Sequence, residues 1–157
     1  LIVSGARRWV AAGTVLIQKG EPGRSLLVVL EGRIAAIHET DRISHQLFSF
    51  GEGEFFGELP LVLQVPYPTT MWAPVDTLLF ELPSGSFRQL LETRPGFAES
   101  VAQTVSRRSD VLRSYEACLR ERGLLENGDL RSPLQWIRER LRRFSPLPGP
   151  AADPGRR

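Results

Sequence analysis

The chain has 157 residues, 41% of them apolar and 24% charged, which is the make-up of an ordinary globular domain able to bury a core without disulfides. A single cysteine, Cys118, excludes an intramolecular disulfide and a multi-cysteine metal site. The longest unbroken apolar run, Leu26 to Leu30, falls far short of the roughly 20 residues that cross a bilayer as a helix. Net charge is +2 but unevenly placed, −3 over residues 1–104 and +5 over residues 105–157, so the expectation is a mildly acidic body with a basic C-terminal part. The basic total comprises one lysine, Lys19, and otherwise arginine. No charged leader with an apolar core opens the chain, and its first residue is Leu1 rather than Met, which suggests a piece of something larger.

Taken in chain order, the first two-thirds reads as short strands separated by glycine. Trp9-Val10, Thr14–Ile17, Ser25–Leu30, Arg33–His38, Gln46–Phe50, Thr69–Ala73 and Thr77–Leu82 are mostly apolar or β-branched. Gly13, Gly20, Gly23, Gly32, Gly51 and Gly53, with Pro22 and Pro74, supply the turns. Short strands with no helices between them predict a mainly β sandwich or barrel rather than a parallel α/β sheet.

The period changes after Pro83. Phe87, Leu90 and Leu91 share one helical face, ended by Arg94-Pro95. From Phe97 the apolar positions Val101, Val105, Leu112, Tyr115 and Leu119 recur at steps of 3 or 4 once Arg108 fills the missing place, and Gly123 supplies a stop. That spacing predicts one helix of about 25 residues, roughly 38 Å long. Its seam suits packing on the body, on a second copy as a homodimer, or on both, with Arg108 as a buried charge that would weaken a dimer. Residues 123–131 read as a linker. Ser132-Pro133-Leu134-Gln135 has the form of a capping box with Pro at the first helical position. The basic amphipathic helix expected over 132–144 sets Leu134, Ile137, Leu141 and Phe144 against Arg138, Arg140, Arg142 and Arg143. It suits docking on its own domain, an anionic membrane surface or an acidic partner. Four prolines predict disorder for 145–157.

The run Leu-Ile-Gln-Lys-Gly-Glu-Pro-Gly-Arg-Ser-Leu-Leu-Val-Val-Leu-Glu-Gly, residues 16–32, resembles the first signature of cyclic-nucleotide-binding domains, the family of the catabolite activator protein and the regulatory subunits of protein kinase A. Phe55-Phe56-Gly57-Glu58-Leu59-Pro60-Leu61 resembles the start of the family's phosphate-binding cassette. The resemblance covers about residues 6–122. It implies a double-stranded β-helix, a jelly-roll-like β-roll, in residues 1–122 with a helical C-terminal part, and cyclic AMP or cyclic GMP as ligand.

Carried over position by position, the resemblance makes Phe56, Gly57, Glu58, Leu59, Tyr67, Pro68 and Thr69 the ligand-binding candidates. Glu58 would accept from the ribose hydroxyl. Tyr67 stands where the family places a phosphate-binding Arg, and Pro68 where a Ser or Thr is common. Pro60 lacks an N–H that a small residue there would offer. Loss of a charge-assisted Arg–phosphate pair removes about 1.5–3 kcal/mol, at least about tenfold in affinity. Beside these roles, Glu58 also suits a helix-capping carboxylate and Tyr67 a turn-packing aromatic.

Gly51, Gly53 and Gly57 do not open a helix after a parallel strand, so a dinucleotide loop is not indicated. His38, His45 and Cys118 lie in different elements without ligand spacing, and no cofactor, metal site or catalytic constellation is indicated. One helix after residue 122 is too little for a winged helix-turn-helix, so sequence-specific DNA binding is not expected. Two function classes stay open. One is a regulatory sensor whose ligand draws the long helix in as a lid and controls an upstream effector, a channel or transporter. The other is a degenerate fold without nucleotide, serving dimerisation or protein contact. Arg107-Arg108 and the arginine-rich last helix are similar to C-terminal sensor domains of bacterial mechanosensitive-like channels, and a cytoplasmic location is expected.

Overall fold

Alternation along Ser25–Glu31 and Thr77–Pro83 sends Leu27, Val29, Leu79 and the neighbouring Val10 into one interior, and the whole β part follows from this inward set. A computed structural model describes residues 4–40 and 43–144. Two four-stranded antiparallel sheets face each other, one in the order β1 (Ala6–Val10), β8 (Thr77–Pro83), β3 (Ser25–Glu31), β6 (Phe55–Phe56). The other has the order β2 (Val15–Ile17), β7 (Thr70–Trp72), β4 (Ile34–Thr40), β5 (Ile43–Phe50). Strands adjacent in the chain thus fall in opposite sheets except β4 and β5, giving the expected β-roll. Val29, Ile34, Phe50, Phe56 and Leu79 fill the space between the sheets. Gly32 makes the β3–β4 turn at φ 88°, and a Cβ there would lie 2.5 Å from the Asp76 carbonyl oxygen, so only glycine fits.

A short helix, α1 (Glu58–Leu63), crosses between β6 and β7. After β8 come α2 (Ser84–Thr93), α3 (Pro95–Ser106), α4 (Ser109–Glu121) and α5 (Pro133–Phe144). The single helix expected from Phe97 onward is therefore two. The break falls at Arg107-Arg108, where the amide N–H groups turn back to Thr104 and Val105 three residues earlier. Arg108 does not sit in a seam as an unpaired charge. Its guanidinium donates to the Phe55 carbonyl, lies 3.6 Å from Glu54 and stacks 4.9 Å from the ring centres of both Phe50 and Phe55. The break thus pins the helices to β6.

Of the placements open to the expected seam, the structure shows packing on the body. Val101, Val105, Leu112, Tyr115 and Leu119 are all buried within the chain's own core, so the apolar stripe is used intramolecularly and offers no free face to a second copy.

The last helix lies on this core. Trp136, Ile137 and Leu141 are buried against α1 and α3, Arg138 pairs with Glu99 on α3, and Phe144 approaches Phe87 at 6.0 Å. The Trp136 amide bonds the Ser132 carbonyl at 3.1 Å, which puts Ser132 at the N-cap. The segment 123–131 is more than a linker: Leu125 is buried, and Asp129–Arg131 form a turn of 3-10 helix. Residues 145–157, expected as disordered, lie outside the described residues. Ile137→Val should lower stability by about 1 kcal/mol, the usual cost of a methylene lost from a core; thermal melting reads it, and no change would mean that α5 is not docked in solution.

Candidate functional site

The two sequence motifs, far apart in the chain, meet at Tyr67. The glycine turn of the first motif receives its backbone: Gly20 N–H donates to the Tyr67 carbonyl at 2.8 Å, and Tyr67 N–H donates to the Glu21 carbonyl at 2.9 Å. Lys19 N–H donates to the Thr70 hydroxyl at 3.2 Å, and Pro22 bridges Pro66. Held by this segment, Tyr67 is 4% exposed, its side chain turned inward.

Its hydroxyl stands directly over Gly57. That glycine is the N-cap of α1 at φ 92°, and a Cβ on it would lie 2.7 Å from the Tyr67 hydroxyl and 2.8 Å from the Ser25 carbonyl oxygen. Glycine is required here on two counts, conformation and space. The Tyr67 phenol thus fills the space beside Gly57 at the start of α1.

The α1 N-terminus lacks one of the N–H donors that a helix start usually offers. Glu58, Leu59 and Pro60 are its first three residues. The Glu58 N–H supports its own carboxylate, and Pro60 has no N–H. Glu58 itself is 3% exposed, with one carboxylate oxygen lacking any partner. Burial pushes its pKa up to about 7, against partial relief from its own amide and from Arg108. Burial, with the Glu58 charge adding to it, pushes the Tyr67 phenol well above its ordinary value, and Tyr115 on α4 is raised in the same way by burial and by the neighbouring Tyr67 and Glu58. Burial thus favours the protonated carboxyl of Glu58 below about pH 7.

The remaining candidates are packed. Phe56 stacks on Phe50 with centroids 5.1 Å apart, Leu59 is in the core, Pro68 is half-buried, and the buried Thr69 hydroxyl is spent on the Met71 sulfur at 3.5 Å. Next to Tyr67 a cleft of about 300 Å³ is lined by Leu16, Ile17, Ser25 and Leu27, with the Arg8–Glu81 pair at 2.8 Å on its wall. Gly57 and Glu58 do not line it, so Tyr67 divides cleft from cassette. Sequence reasoning missed the role of Arg108, because its partners Glu54 and Phe55 lie a third of the chain away and no periodicity signals them. Among the described residues no group of three His, Cys, Asp or Glu side chains is placed to hold a metal, and no helix is long and apolar enough to cross a membrane.

A two-sheet β-roll with a short helix crossing between β6 and β7, covered by C-terminal helices, is the architecture of a regulatory β-roll domain. Residues 7–94 match the cyclic nucleotide-binding domain family, and the chain belongs to that family. Among curated relatives, a lysophospholipase of Aspergillus terreus is 31% identical over 111 residues, 69% of this chain and 7% of that protein. A cyclic nucleotide-gated potassium channel of Rhizobium etli is 31% identical over 101 residues, 64% of this chain and 27% of the channel. The chain thus spans a small part of the length of these relatives.

Among solved structures, the catabolite activator protein of Thermus thermophilus superposes with a TM-score of 0.61 at 21% identity, covering 89% of this chain and 76% of that one. The regulatory subunit of a cAMP-independent protein kinase A from Trypanosoma brucei gives 0.60 at 22% identity, covering 73% and 41%. At these identities the likeness is one of fold.

Proposed function

We propose that the domain is a regulatory module of a longer protein, on the cytoplasmic side, and that its cassette is closed to cyclic AMP and cyclic GMP. The observation that carries this reading is the Tyr67 hydroxyl over Gly57, in the place of the family's phosphate-binding arginine. The buried Glu58 and the missing Pro60 amide support it. Regulation then passes through the helices without a nucleotide: Arg108 ties the α3–α4 break to β6, and any partner that prefers one placement of these helices shifts the balance between them. A channel and a lipid hydrolase among the relatives make an attached membrane-associated effector the favoured setting, with the chemistry residing outside this domain.

Titration calorimetry with cyclic AMP and cyclic GMP tests the reading. The natural chain should give no saturable heat. Tyr67→Arg removes the phenol and supplies a cation beside Gly57, which is worth about 1.5–3 kcal/mol to a bound phosphate and should make binding at least about tenfold stronger. Saturable binding of either nucleotide by the natural chain would overturn it.

A further inference from the structure

The arginines of α5 do not form one basic face. Arg138 is engaged by Glu99, and the groove on that side includes Glu99 in its wall together with Arg142. Arg140 and Arg143 lie on the other side with Arg88 of α2, and Arg122 from the end of α4 lines an adjoining hollow that Arg88 also walls. Two compartments of about 500 and 180 Å³ open there, sharing Gln64, Arg88 and Phe144 as common walls, and no carboxylate lines either. We propose that this cleft, ringed by Arg88, Arg122, Arg140 and Arg143, binds a compact, multiply charged phosphate-bearing anion.

Arg88 and Arg122 in the larger compartment, and Arg88, Arg140 and Arg143 in the smaller, have no acid in the walls to offset their mutual repulsion, and an anion removes that repulsion. Two of the four are held in place. Arg88 stacks on Phe144 at 4.5 Å, and Arg140 lies 5.6 Å from the Trp136 ring while giving one nitrogen to the Leu124 carbonyl at 2.8 Å. Stacking fixes the planes of the guanidinium forks and leaves their edges free for bidentate contact with phosphate oxygens. The competing acid is Glu139, 2.8 Å from Arg143, but both partners are more than half exposed, so that pair gives way easily. The C-terminal carbonyls of α1, at Gln64, supply only about half a negative charge, too little to balance four cations. The walls Pro22, Pro60 and Pro66 carry no amide hydrogen for pairing with an extended peptide, which favours a compact ligand. Nothing here depends on whether the cassette is closed.

Calorimetry with inorganic pyrophosphate at low ionic strength reads the site. Saturable binding is expected, weakening as salt rises. The double variant Arg88→Gln/Arg122→Gln should lose at least about tenfold in affinity, the scale of one charge-assisted contact. Arg138→Gln/Arg142→Gln, with the same loss of charge on the opposite side of α5, should bind as the natural chain does. If the first double variant does not fold, the exposed single change Arg143→Gln carries the comparison. Vesicles of phosphatidylcholine with a phosphoinositide separate the sources: vesicle binding displaced by pyrophosphate places a lipid headgroup in the cleft, and pyrophosphate binding without vesicle binding assigns it to a free phosphate. No saturable binding, equal loss in both double variants, or vesicle binding that pyrophosphate does not displace would overturn the proposal.

Discussion

Glu58→Gln should stabilise the domain above pH 7 by up to about 3 kcal/mol, several degrees in melting temperature, and leave it unchanged in acid. The Glu58 pKa is raised from 4.5 in the unfolded chain to about 7 in the folded one, so the folded state holds a proton that the unfolded state has released between these values. Its contribution is complete below pH 4.5 and is lost as pH rises through 7. Above that, the natural chain buries a carboxylate with one oxygen unpartnered, a cost that the neutral amide avoids. Thermal melts of both chains across this range give the answer. A variant as stable as the natural chain, or less stable, above pH 7 would mean that the carboxylate is solvated or paired in solution.

Arg108→Ala should cost about 2–4 kcal/mol. Its side chain, 13% exposed, donates to the Phe55 carbonyl, a charge-assisted bond of about 1.5–3 kcal/mol, and it lies over two aromatic rings, at about 0.5–2 kcal/mol for a cation–π contact. Arg108→Lys keeps the charge without the planar fork and should recover only part. Hydrogen exchange adds a signature: amides of β6 and of the first turn of α4 should lose protection together, because one side chain joins them. A loss below about 0.5 kcal/mol, the scale of an ordinary surface substitution, would remove the proposed tie between cassette and helices.

The β-roll was legible because most strands are bounded by glycine or proline and because the run from Leu16 to Gly32 is long and specific. β6 was not legible as a strand, since two residues carry no period; it pairs only because Leu27 and Val28 lie opposite. The helix break was hidden by its own residues. Arg108 completes the 3,4 spacing, and a periodic pattern records which positions are buried without recording what buries them. For the same reason a seam packed on its own domain reads like one shared between two copies. Tyr67 was visible as a replacement for an arginine, whereas its position over Gly57 depends on the clamp by Gly20 and Glu21, a contact between distant segments. The arginine cleft was illegible because Arg88 and Arg122 come to Arg140 and Arg143 only through the packing of α2, α4 and α5.

The closed cassette is tested most directly by amide chemical shifts of the isotopically labelled natural chain, followed as cyclic AMP and then cyclic GMP are raised to millimolar levels. The predicted result is no saturable change at Phe56, Gly57, Glu58, Leu59, Tyr67 or Thr69. Saturable shifts centred on Gly57 and Glu58, with Tyr67 moving among them, would contradict it.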